Sequence, residues 1–213
     1  MKLFTYFRSS AAFRVRIALL LKNVEHEAVY VHLRKGEQKA PSYAALNPQK
    51  FVPSLIDGPE VLNQSMAIIE YLEEKYPDPP LLPKDTLARA RIRSIASTIA
   101  CDIHPLNNLR VLEYLKDEAG LPQEKIDAWY RHWIDEGFSA LEAILSKSDE
   151  TGTFCHGGHP TVADICLVPQ VYNARRMNID LTAYPTITAI NDTCMGLPAF
   201  ASAAPDAQPD ADS

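Results

Sequence analysis

Hydrophobic positions change their spacing several times along the chain, and each change predicts an element. Leu3-Phe4-Thr5-Tyr6-Phe7 is an apolar, strand-like run that predicts a strand over 2–7. It stops at Arg8-Ser9-Ser10, where a helical period takes over. That period places Phe13, Ile17, Leu20 and Leu21 on one face of a helix over about 10–22. "EAVYVHL" (27–33) predicts a second strand, with Val29 and Val31 facing one way and Tyr30 the other. A polar stretch with helical character, 37–46, leads into "NPQKFVPSLID". There Pro48 and Pro53 punctuate an extended run into Ser54-Leu55-Ile56-Asp57. The turn Asp57-Gly58-Pro59-Glu60 returns a short strand at Val61-Leu62. "QSMAIIEYLEEKY" then follows as an amphipathic helix with Ile68, Ile69, Leu72 and Tyr76 inward.

A βαβ order followed by ββα in so short a span implies a small thioredoxin-like α/β domain over 1–80. "PDPPLLPKD" (77–85) marks its end, because four prolines in seven residues can neither continue a helix nor join a sheet interior. No strand pattern follows. Residues 86–116, 123–147, 161–178 and 185–194 carry helical patterns and imply an all-α second domain over 86–204. Pro105 lies inside the first of them, where a missing donor and a clash with the preceding turn predict a kink. "TVAD" (Thr161 to Asp164) fits a capping box with aspartate in place of the usual Glu or Gln, which speaks of folding and not of catalysis. The tail over 205–213 is small, acidic and proline-containing, and is expected to be disordered.

Composition narrows the function classes. Over 213 residues, 46% are hydrophobic and 23% charged, as in an ordinary globular protein. A net charge of -6 disfavours a nucleic-acid partner. Charged and polar residues break the N-terminal apolar run within ten positions, and "IALLLK" is far too short to cross a bilayer, so the expected location is the cytoplasm. Cys101, Cys155, Cys166 and Cys194 are widely separated, which fits reduced, mostly buried thiols. "CHGGH" offers Cys155, His156 and His159 in a Gly-rich loop without a second cluster, and a loop without metal is the favoured reading.

The strand-to-helix junction at Ser9 and Ser10 is the strongest candidate for chemistry. Amides and hydroxyls converge there with a helix N-terminus behind them, a place that favours an anion such as phosphate, carboxylate or thiolate. A hydroxyl donating to a thiolate stabilises its charged form. On the residues alone the plainer reading, that one serine is only an N-cap, is the favoured one.

Three stretches bring a family into view. "RSSAAFRVRIALLLKN" resembles the zeta-class glutathione transferase signature, usually S-S-C-x-W-R-V-R-I-A-L, and "FVPSL" and "QSMAIIEYL" resemble that family's glutathione loops. "CDIHPLNNLRVLEYL" and "PQVYNARRMNIDL" look like segments of the bacterial zeta-like maleylpyruvate isomerases. The resemblance implies a glutathione transferase fold, glutathione as cofactor, and a homodimer. It also implies that Ser9 holds the thiolate with Ser10 in support, and that Val52, before a cis Pro53, pairs its backbone with the cysteinyl unit. Gln64 and Ser65 would hold the γ-glutamyl end, with Gln38 and Gln49 as weaker carry-overs for the glutathione backbone. Arg8, Arg110 and Arg176 would bind substrate carboxylates, while Asp102, His104 and Asn108 lie around glutathione and substrate.

The activity so implied is cis–trans isomerisation of a maleyl keto acid, a small dicarboxylate, by thiolate addition, rotation and elimination. Maleylpyruvate is favoured and maleylacetoacetate stands close behind. The alternatives are a general transferase that conjugates electrophiles, and a transferase-like binding module without activity. Ala11 departs from the signature, which usually has cysteine at this place, so reductive dehalogenation through a mixed disulfide is not expected. Tyr6 reads as a strand residue, not a thiolate activator. Arg175 stands directly beside Arg176 in the same stretch.

Overall fold

The computed structural model describes residues 1–211, and the chain divides into two compact units. One comprises Met1–Leu81 together with the segment from Gly196 onward, and the other Leu82–Met195. The division differs from the sequence reading at the C-terminal side, where 196–204 group with the first unit.

The first unit is built on a four-stranded sheet in the order β2-β1-β3-β4. Strand β1 (Lys2–Thr5) pairs in parallel with β2 (Glu27–Tyr30) and antiparallel with β3 (Ser54–Asp57), which pairs antiparallel with β4 (Glu60–Asn63). Helix α1 (Ser10–Leu21) makes the crossover between the two parallel strands, which a hairpin cannot do. Two 3-10 turns, Leu33–Lys35 and Glu37–Lys39, and the short helix α2 (Pro41–Leu46) lead to β3, and α3 (Ser65–Lys75) closes the motif.

Helix α1 departs from its simple amphipathic reading. It is buried on almost every side, from Ala12 to Leu19, while Leu20, expected inward, is exposed. The reason is that α3 packs on it and so does α9 (Pro198–Ala203), which arrives from the far end of the chain. Even its arginines are enclosed, Arg14 at 2% and Arg16 at 4% exposure. Helix α3 follows its pattern more closely: Ile68, Ile69 and Leu72 are fully buried, and Tyr76 is half-buried.

The tail expected to be disordered is corrected up to Ala211. Pro205–Ala207 form a 3-10 turn, Gln208 Nε2 donates to the Ser202 and Ala204 carbonyls, and Asp210 is 7% exposed. Ala211 packs against the cluster of Tyr6, Phe7, Ala12, Val31, Tyr43 and Val52. What a polar composition cannot show is a specific buried partner for one carboxylate. Residues 212 and 213 of that tail lie outside the described residues.

The second unit is helical throughout its described elements. It contains α4 (Thr86–Ser97), α5 (Leu109–Asp117), α6 (Gln123–Ser146), α7 (Val162–Arg176) and α8 (Pro185–Met195). Helix α7 is its core element, buried continuously from Val162 to Val171 and packed on α4 and α8, as expected of a helix that is apolar nearly all round. Its start is the capping box read from "TVAD", with both reciprocal bonds present. Asp164 Oδ2 also accepts from the Thr161 hydroxyl at 2.7 Å, and its Oδ1 accepts the Cys155 amide at 2.8 Å. The "CHGGH" loop is thus tied to the helix start through Cys155.

The predicted single helix over 86–116 is replaced by four pieces. Residues after α4 widen into a π-helical stretch, Thr98–Ile103, then tighten into a 3-10 turn, His104–Asn107, before α5 starts. Proline cannot donate to the preceding turn, so the ladder is interrupted and restarts with Asn108 as a new cap. Gly137 on α6 lets this stretch approach closely: a Cβ there would stand 2.3 Å from Ile103 Cδ1.

Candidate functional site

In the first unit the β1–α1 turn carries Arg8, Ser9 and Ser10. Ser9 is the N-cap of α1, and its Oγ accepts the Ala12 amide at 3.2 Å. The first turn of the helix has no acidic residue of its own. Ser9 is half-buried, Ser10 buried and Arg8 exposed, with the Arg8 guanidinium 5.1 Å from the centre of the Phe7 ring. Ala11 offers only a methyl group here. The bland reading of Ser9 as a cap is therefore true of the free chain. It leaves the hydroxyl proton available for a ligand, because in the cap the oxygen accepts.

Tyr6 is buried just past the end of β1, and burial pushes its phenol above the ordinary range despite the opposing charges of Arg8 and Arg34. Such a phenol holds its proton, which fits the structural reading of this residue.

The Val52–Pro53 peptide bond is cis, and both residues are buried. Val52 lies two positions before Ser54, where the pairing with β1 ends. Its loop is held from beneath by side chains that sequence reasoning missed: the Phe51 carbonyl accepts from Tyr43 Oη at 2.5 Å and from Asn47 Nδ2 at 2.9 Å. Tyr43 Oη also meets Ser54 Oγ at 3.1 Å, and Ser54 donates to Asn63 at 2.6 Å. This buried chain of polar groups fixes the loop against the sheet. The spacing of Tyr43 and Asn47, one helical turn apart, was the available signal.

Gln64 stands at the entry to α3 with φ 71°, and its side chain does not cap the helix. Instead Gln64 Nε2 donates to Gln49 Oε1 at 2.7 Å, which brings two of the candidate residues together. Ser65 Oγ accepts from the buried Arg14 guanidinium at 3.4 Å, so α1 and α3 are tied next to both helix starts. Like α1, α3 has no acidic residue in its first turn. Gln38 is buried, and its Oε1 has no hydrogen-bond partner among the described residues.

Two helix N-termini free of acid suit an anion, and the orphaned Gln38 acceptor suits a donor such as a peptide N–H. Glutathione has that character: backbone to pair, carboxylates, and a thiol that gains from a positive environment. Ser9, Ser10, Gln38, Gln49, Val52, Pro53, Gln64 and Ser65 all lie in this unit.

The second unit carries the remaining candidates. Asp102 is exposed in the π-helical stretch, and His104 is half-buried at the start of the 3-10 turn. Asn108 is the N-cap of α5, its Oδ1 accepting the Arg110 amide at 3.2 Å, and Arg110 is exposed. At the end of α7 the adjacent arginines separate. Arg175 pairs with Asp192 on the surface at 3.0 Å, whereas Arg176 reaches the phenol of Tyr130, a buried residue of α6. Burial pushes the Tyr130 phenol up, and the neighbouring Arg176 charge and hydrogen bond pull it back.

The "CHGGH" loop is occupied by internal bonds. Arg91 donates to the Cys155 carbonyl at 2.7 Å and pairs with Glu150 at 3.2 Å, and His156 lies 3.8 Å from the same carboxylate. Burial and Asp164 push the Cys155 thiol well above its ordinary range.

Comparison with known proteins identifies the family. Residues 3–80 match the glutathione S-transferase N-terminal domain, and residues 124–201 match the C-terminal domain. The chain is 50% identical to a probable maleylacetoacetate isomerase of Vibrio cholerae over 98% of its length and 97% of the relative's. It superposes with a TM-score of 0.97 on the holo structure of a maleylpyruvate isomerase, a bacterial zeta-class transferase, at 50% identity and 99% coverage of both chains. A maleylacetoacetate isomerase from Methylobacterium extorquens AM1, solved with bound malonate and glutathione, gives 0.97 at 43% identity with both chains fully covered. The chain belongs to the glutathione S-transferase family and, within it, to the zeta class.

Proposed function

We propose that the protein is a glutathione-dependent cis–trans isomerase of maleyl keto acids, with maleylpyruvate to fumarylpyruvate as the favoured reaction and maleylacetoacetate to fumarylacetoacetate as the alternative. The observation that carries the reading is the Ser9-capped N-terminus of α1, free of acidic residues, in a chain similar over its whole length to enzymes of this name.

Glutathione held here would supply the thiolate nucleophile that cis–trans isomerisation by addition, rotation and elimination needs. The Ser9 hydroxyl donates to the sulfur and, with the end of the α1 dipole, favours its charged form. Ser10 supports the same turn. Val52 offers backbone pairing, Gln64 and Ser65 receive the γ-glutamyl end, Gln49 steadies Gln64, and Gln38 accepts a donor from the bound peptide. Arg8, Arg110 and Arg176 are assigned to the two substrate carboxylates and to the charge that develops on the keto oxygen. A guanidinium fork suits each of these, and positioning plus charge stabilisation is what such a reaction needs. Asp102, His104 and Asn108 are placed around substrate and glutathione. Ala11 cannot form a mixed disulfide, so the thiol enters and leaves without help from the chain's own sulfur.

A homodimer located in the cytoplasm completes the proposal. Among the described residues no helix is long and apolar enough to cross a membrane. Sedimentation giving the mass of one chain would contradict the dimer.

The experiment is to offer maleylpyruvate and maleylacetoacetate separately, with glutathione, and identify the products. Formation of a fumaryl isomer from at least one of them is expected. Binding of glutathione without turnover of either would leave general conjugation as the better reading.

A further inference from the structure

The turn that carries Ser9 is held from the opposite end of the chain. The Phe7 amide donates to Asp210 Oδ2 at 3.0 Å across 203 positions of sequence. The carbonyls on either side of that amide are held by one side chain: Arg16 Nη2 donates to the Phe7 carbonyl at 3.1 Å and Nη1 to the Tyr6 carbonyl at 3.3 Å. Arg16 also donates to Thr5 Oγ1 at 3.1 Å and, through Nε, to the Ala203 carbonyl at 2.9 Å. The Tyr6 carbonyl further accepts the Ser9 amide at 3.0 Å. Every polar backbone atom from Tyr6 O to Phe7 O is thus fixed by a charged group, and both groups are nearly inaccessible to solvent.

Rigid elements hold these two charges in turn. Gln208 Nε2 folds the tail onto the end of α9 through Ser202 and Ala204, and Ala211 seats in the apolar cluster that contains Phe7 and Val52. Burial pulls the Arg16 guanidinium down to about 10, and the Asp210 charge opposes that effect. Arg8 and Arg34 also act electrostatically on Tyr6, and Tyr30 on Arg16.

We propose that Arg16 and Asp210 are positioning residues for glutathione activation, a charged clasp by which the C-terminal tail sets the geometry of the turn bearing Ser9. The inference rests on the reading of Ser9 as the thiolate donor. A plain structural tether would need no charge at the Phe7 amide, and a surface tail would need no buried aspartate. Charge-assisted bonds at the Tyr6–Phe7 and Phe7–Arg8 peptides hold the start of the turn more tightly than neutral bonds do. Positional error of about 1 Å at a reacting group costs on the order of 10²-fold in rate, so the clasp bears directly on catalysis.

The test compares the wild-type protein with Asp210→Ala, Asp210→Asn and Asp210→Glu. Three quantities are read: amide hydrogen exchange at Phe7 and Ser9 in the unliganded protein, glutathione affinity by calorimetry, and the titration of the bound thiol by its thiolate absorbance. In Asp210→Ala, exchange at both amides accelerates about tenfold. Glutathione binding weakens, and the bound thiol titrates about one unit higher. KM for the keto acid is unchanged, and Asp210→Glu recovers most of the loss. A variant that melts earlier yet exchanges these amides and titrates bound thiol as wild type does would overturn the proposal. If Asp210→Ala fails to fold, Asp210→Asn, which keeps one acceptor oxygen without charge, is followed by the same three quantities. The same changes in them support the clasp, and wild-type values overturn it. Faster exchange in the variants, with no glutathione bound by wild type, would sink the catalytic role by overturning the Ser9 reading.

Discussion

Lys22 and Glu73 form a buried ion pair at 2.6 Å, with the Lys22 side chain fully enclosed and that of Glu73 9% exposed. Each partner also holds backbone around the proline-rich stretch: Lys22 Nζ donates to the Tyr76 and Pro79 carbonyls at 2.6 and 3.0 Å, and Glu73 accepts the Leu81 amide at 3.0 Å. The C-terminal end of α1, the end of α3 and the chain that follows are therefore one electrostatic knot. Removing one partner leaves the other charge buried. Glu73→Ala should cost about 3–5 kcal/mol of stability in denaturant titration. A loss of less than about 1 kcal/mol, the range of exposed pairs, would mean that water reaches the lysine.

Asp164 should show a specific pH signature. Burial raises its carboxyl above the ordinary 3.8, against the hydrogen bonds from Cys155 and Thr161. An acid whose folded pKa is raised binds its proton more tightly when folded. Its favourable contribution is then complete below the unfolded pKa and declines as pH rises through the folded value. Asp164→Asn keeps the shape but turns one acceptor into a donor facing an amide, at a cost of about 1–3 kcal/mol. The gap between wild type and variant should narrow as pH rises from about 4 toward neutrality. A gap that widens over this range would contradict the dominance of burial at this carboxyl.

Gly137→Ala tests the close approach of α6 to the π-helical stretch. The new methyl group would meet Ile103 at less than van der Waals distance, and a fixed core must shift to admit it. Overpacking of this kind costs about 1–3 kcal/mol, read as an earlier melting transition. Because Ile103 precedes His104, KM for the keto acid should rise as well. A variant with wild-type stability would show that residues 98–107 yield easily.

Arg176→Ala and Arg175→Ala should separate. Loss of Arg176 should reduce isomerisation on the order of 10²-fold while conjugation of an uncharged electrophile persists. Loss of Arg175, a surface partner of Asp192, should change either activity by less than about twofold, as expected of an exposed ion pair. Equal damage from both substitutions would dissolve the carboxylate assignment.

Legibility in the sequence followed the range of the interactions. The Thr161–Asp164 cap spans three positions and was readable from four letters. The succession of strands and helices in the first unit was implied by short patterns, each local in the chain. Periodicity puts Leu20 on the apolar face of α1, and it does not show that α3 and α9 enclose Ala12 to Leu19 while Leu20 stays exposed. The stretch from 98 to 109 was expected to kink once at Pro105, but the ladder also widens before the proline, in a segment that packs on α6. Asp210 was beyond reach, since its partner lies 203 positions away and nothing in a polar tail announces a buried acceptor. At the site, the Ser9–Ser10 junction was legible as a helix start that can favour an anion or serve as a plain cap, and the thiolate assignment came from family resemblance. Tyr43, Asn47 and Tyr130 were missed because each acts by supporting another group.

The most direct measurement follows maleylpyruvate and free thiol together in one reaction, with glutathione well below the substrate concentration. An isomerase converts many substrate molecules to the fumaryl isomer for each glutathione present, leaves the thiol concentration constant, and gives no turnover with S-methylated glutathione. That is the expected result. Thiol consumption matching substrate loss one for one would contradict it, because the protein would then be conjugating its substrate and not isomerising it.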